Sequence, residues 1–486
     1  MASTTVEATT IQSKDDDFVI YGPDCTVYND TPGKPHVLII GAGIAGLTLA
    51  LLLHKAGVPF DIFEKSADSR TIGSALYLGP DLFSIFHQLG IAEEIIEQSK
   101  PCHSIDVYSE NRERQFRIDF ALLREMGGYE GRLIPRTVIY NILLSKVPPQ
   151  NIHKPMRMLS MTQGENGVHI RFANGAEVEG DILVGADGAY SAVRQTLYER
   201  LKKDNILPAS DAKDLPFSCV CLAGHSGTLN PEKFTELKDP QCHFYNTLGT
   251  DKPYSESSKL HNNFRTTDWG EGAVGSMCDE IRDYPIPGGD GTLTLADLID
   301  GTPMSQMTKV MLEEKVFDTW YHCRTVLIGD AAHKIHPAGG QGALLGFHDA
   351  IALANWINVL PSKRVKHTEY IFKEYKKERY PFAKAAYNHG RNMSNVSDKD
   401  LKATITRFIS KNMPHWLWKM FLTKISAQRP QAAFLPYVQD NGTVKAAYQH
   451  SLVKTTKMMK DQAAKTAAAA AAAAAQDGAS NVVATV

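Results

Sequence analysis

VLIIGAGIAGLTLALLL, residues 37–53, is a run of seventeen residues without a charge in a chain of 486. A membrane span needs roughly twenty apolar residues, and the glycines of this run, Gly41, Gly43 and Gly46, weaken a helix. Read with its flanks, the stretch divides. HVLII is short and β-rich, Gly41-Ala-Gly43-Ile-Ala-Gly46 is a turn, LTLALLLHKAG is a helix ending at Gly57, and VPFDIFEK is a second strand. Both strands are continuously apolar, the pattern of a parallel sheet covered on both faces. The run is therefore the core of a β-turn-α-β unit.

Each glycine of the turn then has a steric task. Gly41 permits the tight turn, Gly43 lets the backbone approach a pyrophosphate, and Gly46 brings helix close to strand. The phosphates would face the helix N-terminus, where free N–H groups and the dipole favour negative charge. Glu64 closes the second strand 18 residues after Gly46, where an acid accepts hydrogen bonds from a ribose 2′-hydroxyl and disfavours a 2′-phosphate. The unit reads as a binding site for a dinucleotide, FAD or NAD rather than NADP.

Two further stretches, DILVGADGAYSAVR (181–194) and RTVLIGDAAHKIHPAGGQGALLGFHDA (324–350), each place a buried strand before a Gly/Asp turn and a helix. With the first turn they make an ordered triple, and on these residues the chain resembles the group A flavin monooxygenases, the family with the p-hydroxybenzoate hydroxylase fold, over roughly residues 36–390. Within that group the segment RPQAAFLP, 429–436, resembles the ends of fungal FAD-dependent monooxygenases and epoxidases of secondary metabolism. The resemblance implies an α/β fold: a Rossmann-like FAD-binding domain with a parallel sheet, a β-sheet substrate domain and a C-terminal helical region.

It also implies roles. Asp330 would bind the ribityl chain of FAD, and the GGQGA segment with Gly342 and Ala343 would set a helix N-terminus near the flavin pyrimidine, where charge on the reduced ring is stabilised. Asp187-Gly188 corresponds to the family's DG motif, which supports both FAD and the passing nicotinamide cofactor. Arg136, opening RTVIYNILL, corresponds to an arginine that contacts FAD, and Gly73 lies where the family chain passes close to the cofactor. Pro337 would sit beside a flavin C4a-hydroperoxide, with His336 and Ala338 as candidates for the pocket wall. NADPH or NADH would act as a transient reductant, and O2 would supply the atom that hydroxylates or epoxidises an apolar or aromatic small molecule. Because the cofactor carries the hard step, the protein's task is to position substrate and exclude water.

The residues themselves leave other readings open. Asp187 and Asp330 are placed to cap helices, Arg136 to lie exposed at a helix start, and His333 and His336 to be structural; no histidine, cysteine or acid stands at metal-ligand spacing from them, so no metal is expected. The helix after GGQG has Ala343 and Leu344 where the family carries an asparagine, and FSCVCLAGHSG lacks the tyrosine of some fungal relatives. A flavin oxidase and a non-catalytic FAD-fold escort protein are the alternative functions. A second GxGxxG and a redox CxxC are both lacking, which argues against enzymes with separate FAD and NADPH domains and against disulfide reductases.

Composition bounds the rest. Lys+Arg 52 against Asp+Glu 54, with no basic block, gives no footprint for nucleic acid. Seven cysteines without a CxxC suit buried thiols in a reducing compartment, so the cytoplasm is expected, with a peripheral position on an internal membrane as the lesser option. Such contact would run through 415–422, where Trp416, Trp418 and Phe421 could bed in lipid; packing against the protein is the preferred reading. The expected segments are an N-terminal disordered arm, 1–35; a discontinuous FAD domain, 36–100, 131–197 and 321–365; a substrate domain, 101–130 and 198–320; a helical region, 366–450; and an Ala-rich frayed tail, 451–486. In the substrate domain SCVCLAG, CHFYN and EGAVGSMCDEIRDYPIP read as strands. Asn166-Gly167 and Asn174-Gly175 mark hairpins of a meander over 151–184. The oligomeric state has no signature.

Overall fold

The computed structural model describes residues 33–68, 75–239, 242, 244–248, 271–394 and 414–483. Its central sheet has six strands in the order Tyr321–His322, Thr325–Leu327, Ile182–Gly185, Val37–Ile40, Phe60–Phe63 and Ile152–His153. Every pairing is parallel except the hairpin of the first two. Val37 stands beside both Ile182 and Phe60, and Val37–Ile40 is buried throughout. That is why these strands carry no polar face: helices and a second sheet layer cover them on both sides.

The helix Ile44–Lys55 is buried over most of its circumference, as its almost uniform apolarity requires. It packs against the helix Gly342–Asn358, whose residues 345–357 are all buried. An antiparallel meander, Met158–Gly164, Gly167–Phe172 and Glu177–Gly180, lies on the sheet. Arg324, 0 % exposed, joins the two by donating to the carbonyls of Gly164 at 2.6 Å, Asp181 at 3.0 Å and Glu165. A wholly buried guanidinium is tolerable there because these carbonyls satisfy its donors.

Beyond this core, Ser104–Ser109 pairs with Arg114–Asp119 and with Phe244–Leu248, and Phe217–Gly224 pairs with Met307–Glu313. The stretch EGAVGSMCDEI is not the expected strand. It forms the helix Glu271–Ile281, which buries Val274 and Cys278 against Met307. Val274, Met277, Cys278 and Ile281 recur at helical spacing, and the interleaved glycines disguise that period as alternation.

The C-terminal region contains the helices Val365–Ser394, His415–Ser426 and His450–Val483; the helical reading of 399–413 lies outside the described residues. The start of the last helix departs from the expected frayed tail. Ser451 and Thr455 are 0 % exposed, Ser451 Oγ donates to Glu378 at 3.1 Å, and His450 Nε2 is 2.5 Å from Glu374. Residues 460–471 are exposed. Trp418 packs beside Leu123, Met126 and Leu422, while Trp416 on the same helix is 68 % exposed. The side chain of Phe421 lies outside the described residues. None of the described helices is long and apolar enough to cross a membrane.

Candidate cofactor site

The first turn is held by contacts that leave no room for side chains. Gly41 has φ +104°, and a Cβ there would meet Ala186 O at 2.5 Å and Asp187 Cα at 2.7 Å. At Gly46 it would meet Gly41 O at 2.0 Å. The first helix is therefore seated on the turn, and the turn on the second motif. Gly43 differs: it is half-buried, yet nothing lies within 4 Å of an added Cβ. It caps a helix that has no side-chain cap and no acid in its first turn. A helix start without a capping side chain, with room beside Gly43, is what a pyrophosphate requires.

Glu64 fixes the same turn from the second strand. Its Oε2 accepts from Ala42 N and its Oε1 from Ser66 N, each at 3.0 Å. A carboxylate has about four acceptor positions, so capacity for ribose hydroxyls is left over.

In the second motif, Asp187 Oδ1 accepts from Ser191 Oγ at 2.5 Å, and Oδ2 from Ala192 N at 2.6 Å and Val193 N at 3.2 Å. Asp187 thus ties down the start of the helix Ala192–Lys203. Burial pushes its carboxyl above the usual range, and these donors oppose the rise. The helix-capping reading of this aspartate holds. Gly188 beside it, at φ +84°, is half-buried with open space before it.

The third motif follows the strand Thr325–Leu327. Gly329, φ +58°, would carry a Cβ 3.3 Å from Ala45 Cβ, and one at Gly346 would lie 3.2 Å from the same atom. Ala45 therefore joins the first helix to both the Gly329 turn and the helix Gly342–Asn358. Asp330 caps no helix of length; its Oδ2 lies 2.9 Å from Lys334 Nζ, and its side chain is 36 % exposed. Gly342 and Ala343 open the helix Gly342–Asn358 behind Gln341, again with no side-chain cap and no acid in the first turn. Two uncapped helix starts thus serve one junction.

The remaining candidates scatter around this junction. Arg136 is exposed at the start of the helix Arg136–Lys146, next to Pro135, which pairs with Ala75. Gly73 lies outside the described residues. His336 is 8 % exposed, and burial pulls its imidazole below the ordinary value. Pro337 is exposed at the start of the short turn Pro337–Gly339 that carries Ala338. His333, 1 % exposed, is structural: its Nε2 is 2.5 Å from Asp349 Oδ2. Among the described residues no group of three or more His, Cys, Asp or Glu could hold a metal.

Sequence reasoning missed Asp349, Arg379 and Lys334. The signal for the first was present: it is a lone acid in the apolar helix ALLGFHDAIALANWI, and a buried acid calls for partners.

A family model described as the FAD binding domain matches residues 34–213 and 293–389, more than half of the chain. The FAD-dependent monooxygenase ausM of Aspergillus calidoustus is 28 % identical over 436 residues, 85 % of this chain and 91 % of that protein. The FAD-dependent monooxygenase paxM of Penicillium paxilli is 26 % identical, covering 73 % of this chain and 77 % of its own. Among solved structures, HpxO of Klebsiella pneumoniae complexed with FAD and uric acid superimposes with a TM-score of 0.60 at 17 % identity, covering 81 % of this chain and 96 % of that one. CtdE in complex with FAD and substrate gives 0.61 at 18 %, covering 81 % and 99 %. These likenesses carry the fold.

Proposed function

Since the chain belongs to the FAD-binding-domain family and is an FAD-dependent monooxygenase by class, we propose that it takes electrons from NADPH or NADH and uses O2 to hydroxylate or epoxidise an apolar or aromatic small molecule of secondary metabolism. The observation that carries the reading is the meeting of the three motifs at Ala45 and Gly41, with two uncapped helix starts and the free acceptor capacity of Glu64 beside them.

These residues fit FAD. Gly43 and the N–H groups after it would hold the pyrophosphate, Glu64 the adenosine ribose, Asp330 the ribityl hydroxyls, and the start of the helix Gly342–Asn358 the pyrimidine edge. Arg136, Gly188 and Gly73 complete the proposed contacts, and Asp187 contributes by fixing the backbone between Gly41 and Gly188. When bound, the flavin supplies both the two-electron exchange with the nicotinamide and the activation of O2. The chain's part is positioning and exclusion of water: His336, held neutral by burial at physiological pH, and Pro337 line the approach without adding charge. Substrate specificity belongs to the region 101–130 and 198–320, and the cytoplasm is the proposed location.

The test is FAD titration followed by NAD(P)H oxidation under labelled dioxygen with a panel of prenylated and aromatic compounds. The reading expects one labelled oxygen atom in the product and nicotinamide consumption in equal amount. Flavin reduced by substrate alone would make the chain an oxidase; bound FAD without nicotinamide oxidation would make it an escort protein.

A further inference from the structure

Behind the Gly329-Asp330 turn lies a buried polar cluster to which none of the proposed cofactor contacts assigns a task. Asp349, 0 % exposed, accepts three hydrogen bonds: Oδ2 from Gly329 N at 3.0 Å and from His333 Nε2 at 2.5 Å, and Oδ1 from Arg379 Nε at 3.0 Å. Arg379 is 4 % exposed, and neither its Nη2 nor His333 Nδ1 has a partner among the described residues. An arrangement that leaves buried donors or acceptors unsatisfied is costly as a device for stability alone.

The donors to Asp349 come from particular places. Gly329 and His333 flank Asp330 in sequence, so one carboxylate grips the chain on both sides of the proposed ribityl-binding acid. Asp349 sits on the helix that opens at Gly342, one turn after Gly346, which touches Ala45. Arg379 anchors the same carboxylate to the helix Val365–Ser394. The turn itself is a single 3-10 turn, Gly329–Ala331, with φ +58° at its first residue and Ala332 N donating to Gly329 O at 2.9 Å; Asp349 is what ties it, through Gly329 N, to the helix Gly342–Asn358.

We propose that Asp349 is a positioning residue for the cofactor: it locks the Gly329-Asp330 turn to the helix Gly342–Asn358, so that Asp330 and that helix start present themselves to one flavin in a fixed relation. The proposal rests on the assignment of Asp330 to FAD. Asp349→Asn keeps the volume but offers one acceptor oxygen and an amide that repels the donors of Gly329 or Arg379.

The experiment uses the full chain and measures the FAD dissociation constant and the visible circular dichroism of the bound flavin, beside far-ultraviolet circular dichroism of the apoprotein. Asp349→Asn is expected to weaken FAD binding about tenfold or more, the effect of one hydrogen bond to a charged group, and to change the visible band while the far-ultraviolet spectrum stays native. Unchanged affinity and an unchanged visible band overturn the proposal. Where Asp349→Asn does not fold, His333→Phe is read instead, since it keeps the ring against Trp320 and removes one grip; native affinity in that variant is equally fatal. Asp330→Ala separates the two levels: if it retains FAD, the cofactor assignment falls, whereas loss in Asp330→Ala with full retention in Asp349→Asn sinks this inference alone.

Discussion

Glu64 and Asp330 are both assigned to FAD, yet their surroundings predict different phenotypes. Glu64 holds Ala42 N and Ser66 N, so Glu64→Ala removes two charge-assisted bonds worth about 1.5–3 kcal/mol each before any ligand is counted. It should lower the melting temperature of the apoprotein and weaken FAD together. Asp330 is bonded to Lys334 four residues away, and such a half-exposed pair is worth about 0.3–0.5 kcal/mol. Asp330→Ala should therefore weaken FAD by about tenfold or more while leaving the apoprotein melting curve nearly unmoved. Scanning calorimetry with a parallel FAD titration checks both; equal losses of stability would count against the difference in roles. Asp349 adds a pH dependence. Burial alone would raise its carboxyl, but His333, Arg379 and the Gly329 N–H outweigh it and hold it down to about 2. Its contribution is present above the ordinary carboxylate value and is lost as pH falls through about 2. Acid unfolding of Asp349→Asn should accordingly show a shallower loss of stability below pH ~4 than the parent.

At the scale of elements, the site is built from helix starts and what does or does not cap them. The helix Ala192–Lys203 is satisfied from within, by Asp187 and by Ser191, whose Oγ accepts from Arg194 N at 3.0 Å. Asp187→Ala should cost about 1 kcal/mol in urea unfolding, with a secondary loss of FAD affinity because Gly41 packs on this backbone. The helices at Ile44 and Gly342 have no such cap, and their ends stay available to a ligand. Gly46→Ala tests the seat of the first helix. Its new methyl would lie 2.0 Å from a backbone oxygen, which no rotamer change relieves, so the helix start must move. Loss of FAD binding with a reduced melting temperature is expected; a variant that binds FAD like the parent would show that the contact is not required.

On the scale of the whole molecule, the proposed cofactor contacts, drawn from residues 41 to 343, depend on distant chain for their support. The C-terminal segment is part of that support. Gln431 O accepts from Asn355 Nδ2 at 3.0 Å, and Ala433 N donates to Asn355 Oδ1 at 2.7 Å. His450 and Ser451 then bind Glu374 and Glu378. A chain ended after Asp461 loses, among the residues whose side chains are described, only the exposed 462–471, and should melt with the full-length protein. A chain ended before His450 loses the buried Ser451 and Thr455 and leaves Glu378, whose carboxyl burial already raises, without these donors; its melting temperature should fall by several degrees. Identical melting of the two truncations would refute this division.

The β-turn-α-β unit and the family resemblance resting on three Gly/Asp turns were legible in the sequence because the constraints there are local: steric limits at glycine, and an unbroken apolar run that only a doubly covered strand can use. Local pattern failed at EGAVGSMCDEI, where glycines imitate a period of two, and at the start of the last helix, where buried Ser451 is met by Glu378 and buried Thr455 turns its hydroxyl back to Ser451 O. Tertiary structure alone decided that Ala45 is the meeting point of the motifs, that Asp187 is spent on a helix start, and that Asp349 braces the turn carrying Asp330. Each depends on contacts between residues far apart in sequence, and the chemistry of such contacts is set by packing that no spacing along the chain encodes.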